Sequence, residues 1–492
     1  MTLTTILVVN ALVAAFLTLL MKFFIKNVKS PILSYLQNFC GGLFLFSGWV
    51  KAVDPLGTAY KMKDYFAEFT STFEGTWFSF IAPIFPVLSE FSVAFAVAMI
   101  VFEIVLGLML IMGNAPKLTA WAFFLLVAFF TFLTGFTYLT GFVPGDANFF
   151  EFSKWGEFDK NNMKVTDCGC FGDFIKLVPF TSFMKDVFLL IPALLFLLMS
   201  KKMHQLFNKP VRAGIVGIST IGLLVYCLSN YVWDIPHADF RPFAQGVNVK
   251  ATKDKEAAAM AEVKITDWKM KHNETGELIT VPNSEYMSKD PEKNYKKYKG
   301  VYTVTDQVRS EPSIPATKIS DFVIEDKDGN DLTETILSNP ELNLLIVNYK
   351  LKGDTETKTR MVSDSIFRSD TINQAGSVNI EKIFDHLEER EEEYIDFIGD
   401  IEYMKNHQKL KPFTDAAKAK GLNVIMAIGG ADEMTIKAFN EDTGLDVTYG
   451  MADDILLKTI VRSNPGVVLL KGGTILNKWH INKLPDFESI SN

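Results

Sequence analysis

Cysteine, positive charge and metal-binding motifs are all scarce in this chain of 492 residues. Its four cysteines are too few for a disulfide-stapled scaffold. A formal net charge of −8 argues against a nucleic-acid-binding protein. The six histidines lack the spacing of metal ligands, and the sequence has no phosphate-binding loop or dinucleotide fingerprint. The sequence therefore predicts neither a metal site nor a nucleic-acid partner.

Apolar and charged residues are distributed unevenly along the chain. Residues 1–233 hold 13 acidic and 16 basic residues, which leaves 44 acidic and 33 basic residues for 234–492. The mean hydropathy of +0.16 is high for a soluble chain. All the cysteines lie in the first part, where Cys40 and Cys227 fall inside apolar stretches and are expected to act as small hydrophobes. We therefore expect a membrane half followed by an acidic soluble half without cysteine.

Six stretches of the first half approach the roughly 20 apolar residues that a bilayer-spanning helix needs. They are residues 4–25, 34–50, 87–112, 118–142, 184–200 and 213–233. The first has neither a basic residue before it nor a small-residue cleavage site after it, so we interpret it as a retained helix. The sequence thus predicts a membrane-embedded bundle of about six helices in contact with the lipid bilayer.

The loops between these stretches predict the orientation. Loops 22–33, 113–118 and 201–212 hold eight basic residues and no acidic one, whereas loops 51–76 and 143–185 hold eight basic and ten acidic residues. Because basic loops stay on the cytoplasmic side, we expect both termini and the soluble half on the outer side. In the bacterial inner membrane, that side is the periplasm.

The most specific motif is the run from Asp167 to Asp173, Asp-Cys-Gly-Cys-Phe-Gly-Asp, in an outer loop. Cys168 and Cys170 can close a small, labile disulfide ring, since Gly169 relieves backbone strain. The two flanking acids disfavour a thiolate unless a base is near, and Lys176 is the local candidate. Three interpretations stay open: a redox-active pair, a static loop clip, and half of a metal site.

Glu103 lies well within the third apolar stretch, where a carboxylate is costly and usually faces the bundle interior. It is either a proton-relay or quinone-contacting acid, or the partner of an interhelical hydrogen bond from a hydroxyl such as Ser47 or Thr131. Lys51 lies where the second stretch leaves the membrane, and it either pairs with Glu90 or anchors the helix at the interface.

Several of these residues together carry a resemblance. Phe46-Ser47-Gly48, Lys51, Asp54-Pro55 and the step from Glu103 to Gly107 are similar to the DoxX-like family of bacterial membrane proteins, and the cysteine run resembles its MauE-type branch. The resemblance covers about residues 34–200, a four-helix unit. It implies quinone-linked thiol oxidation or disulfide formation in a partner. Cys168, Cys170 and Glu103 would then be catalytic, and a membrane quinone would bind near Glu103, Lys51 and Asp54.

Residues 317–492 alternate strands and helices in the order βαβ, followed by a β-hairpin. Leu342–Tyr349 and Leu422–Ala427 are continuous apolar runs, typical of buried central strands. With Asn464-Pro465 just before the hairpin, this order resembles the thioredoxin fold in its thiol-reductase or peroxiredoxin form. In that family the proline is usually cis and lines a substrate groove. Asn464 and Pro465 would then bind a partner protein, although a purely structural domain is the open alternative.

The soluble half departs from that family in one respect. The family's cysteine motif should lie near 349–359, but no cysteine occurs there, so the domain can bind but cannot perform dithiol chemistry. Residues from about 379 to 420 are predicted to form a long, charged helical region, with His386–Glu393 as a solvated face. Alternating residues at 263–269 and a turn at 272–276 predict a hairpin in a β-rich connector.

The predicted organisation has five parts. They are an additional N-terminal helix (1–33), a DoxX-like bundle (34–205), a last transmembrane helix (206–235), a β-rich periplasmic connector (236–316) and a thioredoxin-like periplasmic domain (317–492). The first functional hypothesis is a membrane thiol–disulfide oxidoreductase, or its accessory, acting on periplasmic partners. The alternative is a non-enzymatic envelope scaffold that recruits proteins into a larger membrane complex.

Overall fold

The computed structural model describes residues 2–24, 28–165, 168–290, 294–374 and 377–490. Contacts divide the chain into two compact units, Met1–Arg241 and Pro242–Asn492. The first unit is helical. Its helices are α1 (Leu3–Phe24), α2 (Pro31–Val53), α3 (Pro55–Phe73), α4 (Ile84–Glu90), α5 (Ser92–Met112), α6 (Pro116–Thr140), α7 (Pro179–Met199) and α8 (Lys209–Leu228).

Five helices of the described residues are long and apolar enough to cross a membrane, namely α1, α5, α6, α7 and α8. The remaining expected span, 34–50, lies within α2, a helix of 23 residues that is not among the five candidates to cross a membrane. Gln37, Asn38 and Lys51 of α2 are buried by neighbouring helices and do not face the surroundings. Five of the six expected spans are therefore apolar enough to cross a membrane. The sixth, in α2, buries polar side chains inside the bundle.

Helices α2 and α5 approach each other closely because glycines face each other at their crossing. A Cβ atom added to Gly107 would lie 2.8 Å from the carbonyl oxygen of Gly41, and one added to Gly48 would lie 2.4 Å from Cγ1 of Ile104. Small residues at such contacts let two membrane helices pack backbone to backbone. This crossing brings Ser47 of α2 to the carboxylate of α5.

The second unit is a mixture of strands and helices. In chain order these are α9 (Val249–Ala261), β1 (Ile265–His272), β2 (Leu278–Pro282), α10 (Asn283–Tyr286), β3 (Tyr302–Arg309), α11 (Thr333–Leu337), β4 (Leu342–Asn348), β5 (Gly353–Gln374), β6 (Ser377–Gly399), α12 (Ile401–Ala419), β7 (Asn423–Gly429), α13 (Glu433–Thr443), β8 (Thr448–Ala452), α14 (Asp454–Ile460), β9 (Gly466–Lys471), β10 (Thr474–His480) and α15 (Phe487–Ile490).

The largest sheet of this unit has the strand order β10-β9-β4-β7-β8. Strands β4, β7 and β8 run parallel, whereas β9 is antiparallel to β4 and to β10. The two apolar runs expected to be central strands form β4 and β7, whose side chains are almost all buried, as is typical of central strands. The expected connector hairpin is confirmed as β1 and β2 of an antiparallel sheet with the order β2-β1-β3.

The prediction of a helical region at 379–420 is wrong for the first half of that region. Residues Ser377–Gly399 form β6, which pairs along its length with β5, and α12 begins only at Ile401. The run of glutamates in β6 favours a helix locally. Cross-strand ion pairs such as Arg360 Nη2 with Glu392 Oε2, at 2.9 Å, favour the two-stranded ribbon instead. We refer to β5 and β6 together as the ribbon.

Candidate functional site

The carboxylate of Glu103 is enclosed between α2 and α5. Its Oε2 lies 2.5 Å from Nζ of Lys51, and its Oε1 lies 2.7 Å from Oγ of Ser47. The Lys51 and Glu103 side chains are only 7% and 2% exposed. Glu103 thus has the expected hydrogen bond from Ser47, whereas the hydroxyl of Thr131 donates to a carbonyl of its own helix. The expectation that Lys51 pairs with Glu90 is wrong, because the Lys51 ammonium lies inside the bundle and pairs with the Glu103 carboxylate.

Ser47 connects this ion pair to the cysteine loop. Its Oγ lies 2.8 Å from the backbone carbonyl oxygen of Cys170 as well as near Glu103. A hydroxyl has one proton, so Ser47 can donate to either oxygen but not fully to both. The position of the Cys170 backbone and the hydrogen bonding of the Glu103 carboxylate are therefore coupled through one hydroxyl group.

The cysteine loop is packed by aromatic rings. Phe171 is 1% exposed, and its ring centroid lies 6.1 Å from that of Phe46 on α2. Gly169 adopts a φ of +59°, in the left-handed region where a glycine costs least. All four cysteines are thiols in the structure; Cys168 and Cys170 are partly exposed, whereas the other two are buried as expected. The first residue of the motif, Asp167, lies outside the described residues.

A second buried ion pair lies at the start of α7. Lys185 Nζ contacts the carboxylate of Asp186, whose Oδ2 also accepts a 3.1 Å hydrogen bond from Thr134 Oγ1 of α6. Asp186 is 1% exposed. Sequence reasoning missed this pair. The available signal was two adjacent charges on an otherwise apolar helix, a costly arrangement that usually marks a functional position.

Both ion pairs act on Cys170. Burial of its sulfur raises the pKa of the Cys170 thiol. The positive charge of Lys185 lowers that pKa, and the negative charge of Asp186 raises it. Lys51 lowers the pKa and Glu103 raises it by smaller amounts. The base expected from the sequence, Lys176, instead has its Nζ 3.9 Å from the Asp173 carboxylate, and its side chain is 59% exposed. Lys185 therefore takes the electrostatic role that the sequence analysis gave to Lys176.

The structure gives Asp54 a helix-capping role. Its Oδ1 accepts a 3.2 Å hydrogen bond from the backbone N–H of Gly57, at the start of α3. An apolar groove of about 510 Å³ lies between α5 and α6, with Phe102, Trp121 and Phe129 among its lining residues. Phe102 is a sequence neighbour of Glu103, whose carboxylate itself faces the bundle interior.

Asn464 and Pro465, the expected partner-binding residues, lie just before β9. Their peptide bond is cis. Pro465 is buried, and Asn464 is half-buried, with its Nδ2 donating a 2.6 Å hydrogen bond to the Lys350 carbonyl oxygen. Of the two, Asn464 has the larger exposed fraction.

The described residues contain no cluster of three or more histidine, cysteine or acidic side chains that could hold a metal ion. Comparison of the chain with protein-family models, curated proteins and solved structures gave no match. The functional argument therefore depends on the geometry of the site itself.

Proposed function

We propose that the protein is a membrane thiol–disulfide redox component in which Cys168 and Cys170 alternate between two thiols and a disulfide. The observation that carries the proposal is the convergence of two buried lysine–carboxylate pairs, Lys51–Glu103 and Lys185–Asp186, on the electrostatics of Cys170. Buried charges in a membrane bundle are costly to maintain, and they usually mark a functional site. The residues named in the DoxX-like and MauE-type resemblance fall largely within this cluster.

The proposed oxidation forms one bond between the two sulfurs and releases two protons and two electrons. A membrane quinone is the proposed electron acceptor, since it takes up two electrons and two protons as it becomes a quinol. The carboxylates of Glu103 and Asp186 are the groups of the site able to pass those protons. The groove between α5 and α6 would suit an apolar quinone tail, because its lining is apolar.

The disulfide would then oxidise a dithiol of a partner protein. A partner thiolate attacks one sulfur of the pair, the S–S bond breaks, and the departing sulfur takes up a proton. The second partner thiolate attacks the mixed disulfide and releases the other sulfur. The partner keeps a disulfide, and both Cys168 and Cys170 return to thiols.

The second unit is proposed to bind such partners without reacting with them. It contains no cysteine, and its strand order, with three parallel strands followed by an antiparallel hairpin, supports a thioredoxin-like fold. In this proposal the helices lie in a bacterial inner membrane, with the soluble unit in the periplasm, as the basic loops favour. The surface around Asn464 and Pro465 would contact the partner.

Cysteine trapping in the full-length protein tests the redox function. Cys168→Ser and Cys170→Ser each leave one sulfur, so we expect each variant to accumulate mixed disulfides that a non-reducing gel resolves. In the unmodified protein, a short-chain quinone should lower by two the number of thiols that react with maleimide. Cys40→Ser with Cys227→Ser is the matched control, and it should leave that loss of labelling unchanged.

A lysine comparison tests the role of the buried charges. Lys185→Met should slow the quinone-dependent loss of labelling, whereas Lys176→Met, which removes an exposed lysine of the same loop region, should not. A cysteine pair that never changes oxidation state would end the redox proposal. In that case a scaffold that assembles envelope proteins would become the better account.

A further inference from the structure

The ribbon is an insertion between β4 and α12 that extends well beyond the sheet of the second unit. Each strand has at least 22 residues, so at about 3.3 Å per residue it reaches roughly 70 Å. Its base is fixed, because Phe397 is 4% exposed and its ring centroid lies 5.6 Å from that of Phe439 in the core. The rest of the ribbon is a two-stranded sheet, and isolated two-stranded sheets are marginally stable in water.

One face of the ribbon carries cross-strand ion pairs. Residues opposite each other in the register point to the same face. This paired face carries Lys358 with Asp396, Arg360 with Glu392, and Asp364 with Arg390. Each of these basic residues is therefore engaged by an acid of the same face, while Asp354, Glu356 and Glu388 are further acids there.

The opposite face, which we call the open face, has a different composition. It is formed by the odd-numbered residues 355–365 of β5 and 387–397 of β6, and no lysine or arginine occurs at these positions. Glu389, Glu391 and Glu393 follow one another along it, all exposed, opposite serine, methionine and threonine. Met361 and Leu387 on this face are 60% and 59% exposed. The open face thus combines uncompensated negative charge with exposed apolar side chains.

This composition restricts what can cover the open face. A second copy would bring two rows of three glutamates together, and like charges facing each other across an interface are destabilising. Anionic lipid surfaces would be repelled for the same reason. A basic protein segment with small apolar side chains complements both the charge and the exposed Met361 and Leu387.

We infer that the open face of the ribbon is a docking surface for a lysine- or arginine-rich segment of another protein. The segment would set its basic side chains against Glu389, Glu391 and Glu393 and its apolar side chains against Met361 and Leu387. This inference does not depend on any redox activity of the cysteines, because it concerns recognition by the second unit alone.

A peptide-binding measurement on the full chain tests the inference. The protein is placed in nanodiscs of zwitterionic lipid, and the probe is a fluorescent peptide that alternates lysine with threonine and valine. We expect binding by anisotropy that weakens with salt. Glu389→Gln, Glu391→Gln and Glu393→Gln together should weaken it by about tenfold or more, since they remove the whole complementary charge.

The matched control makes the same charge change on the paired face, through Asp354→Asn, Glu356→Gln and Glu388→Gln. It should change the affinity by less than about twofold, because those residues face away from the peptide. All six changes are at ribbon positions outside the core, and circular dichroism checks that the strands persist. Equal weakening by both variants, or no binding above that of empty nanodiscs, would overturn the inference. Self-association that only the open-face variant abolishes would assign the face to a second copy instead.

Discussion

Breaking the Lys51–Glu103 pair should destabilise the helical unit strongly. Glu103→Gln keeps an oxygen that can accept from Ser47, but it leaves the Lys51 ammonium, 7% exposed, without its counter-charge. Removing one partner of a buried ion pair costs about 3–5 kcal/mol, because the other charge remains desolvated. Lys51→Met should cost a similar amount by stranding the carboxylate of Glu103.

The double variant distinguishes the pair from two independent contacts. Lys51→Met with Glu103→Leu removes both charges, and apolar replacement of a buried pair is neutral or stabilising by about 1–4 kcal/mol. The double variant should therefore be much more stable than either single variant, with a coupling free energy of several kcal/mol. The assay is unfolding of the full chain in mixed detergent micelles, followed by circular dichroism.

An exposed pair provides the control for this cycle. Lys154 Nζ and Glu151 Oε1 lie 2.9 Å apart, but their side chains are 56% and 42% exposed. The corresponding Glu151→Gln and Lys154→Met variants should leave the unfolding midpoint unchanged, because solvent already screens these charges. Additive losses in the Lys51 and Glu103 double variant would refute the reasoning, since they would mean that neither charge depends on the other.

Three further outcomes follow from single positions. Gly113→Ala should lower the yield of folded protein, because Gly113 has a φ of +64° and a Cβ there would lie 1.7 Å from the His204 carbonyl oxygen. Gly217→Ala should leave the yield unchanged, because the space around Gly217 is open. Burial lowers the pKa of His407 from 6.5 to about 4. The second unit should therefore lose about 3 kcal/mol of stability as the pH falls from 6.5 to 4, and calorimetry of a His407→Gln variant should show a flatter pH profile. The raised pKa of Cys170 should delay its alkylation by iodoacetamide to higher pH than that of a free thiol, and Lys185→Met should delay it further.

Sequence patterns were sufficient to predict an element where one hydrophobic pattern determines its structure. Long apolar runs predicted the helices α1 and α5–α8, and the uninterrupted apolar run at 342–349 predicted β4 at the centre of the sheet. For Glu103, the cost of a membrane carboxylate led to Ser47 as a hydrogen-bond donor, because a buried acid must find a partner.

Two failures have a common physical cause, which is that contacts distant in sequence outweighed local preference. Glu388–Glu393 favour a helix by composition, yet their pairing with β5 decides the strand. Lys176 is the basic residue closest in sequence after the cysteine pair, yet folding brings Lys185, nine positions further along the chain, to act on Cys170. Neither outcome could be derived without knowing which segments meet in space.

All four cysteines lie in the first unit, whereas both proposed partner-binding surfaces lie in the second. Cys40 and Cys227 have no exposed surface, whereas Cys168 and Cys170 belong to partly exposed residues. The second unit has no thiol of its own, yet it carries the open face and the half-buried Asn464. In the proposed function, the second unit would therefore contribute recognition of the partner, and the thiols of the first unit would contribute the reaction. Under that proposal, loss of the ribbon charges should be overcome by more partner, whereas loss of Lys185 should not, because Lys185 acts on the electrostatics of Cys170.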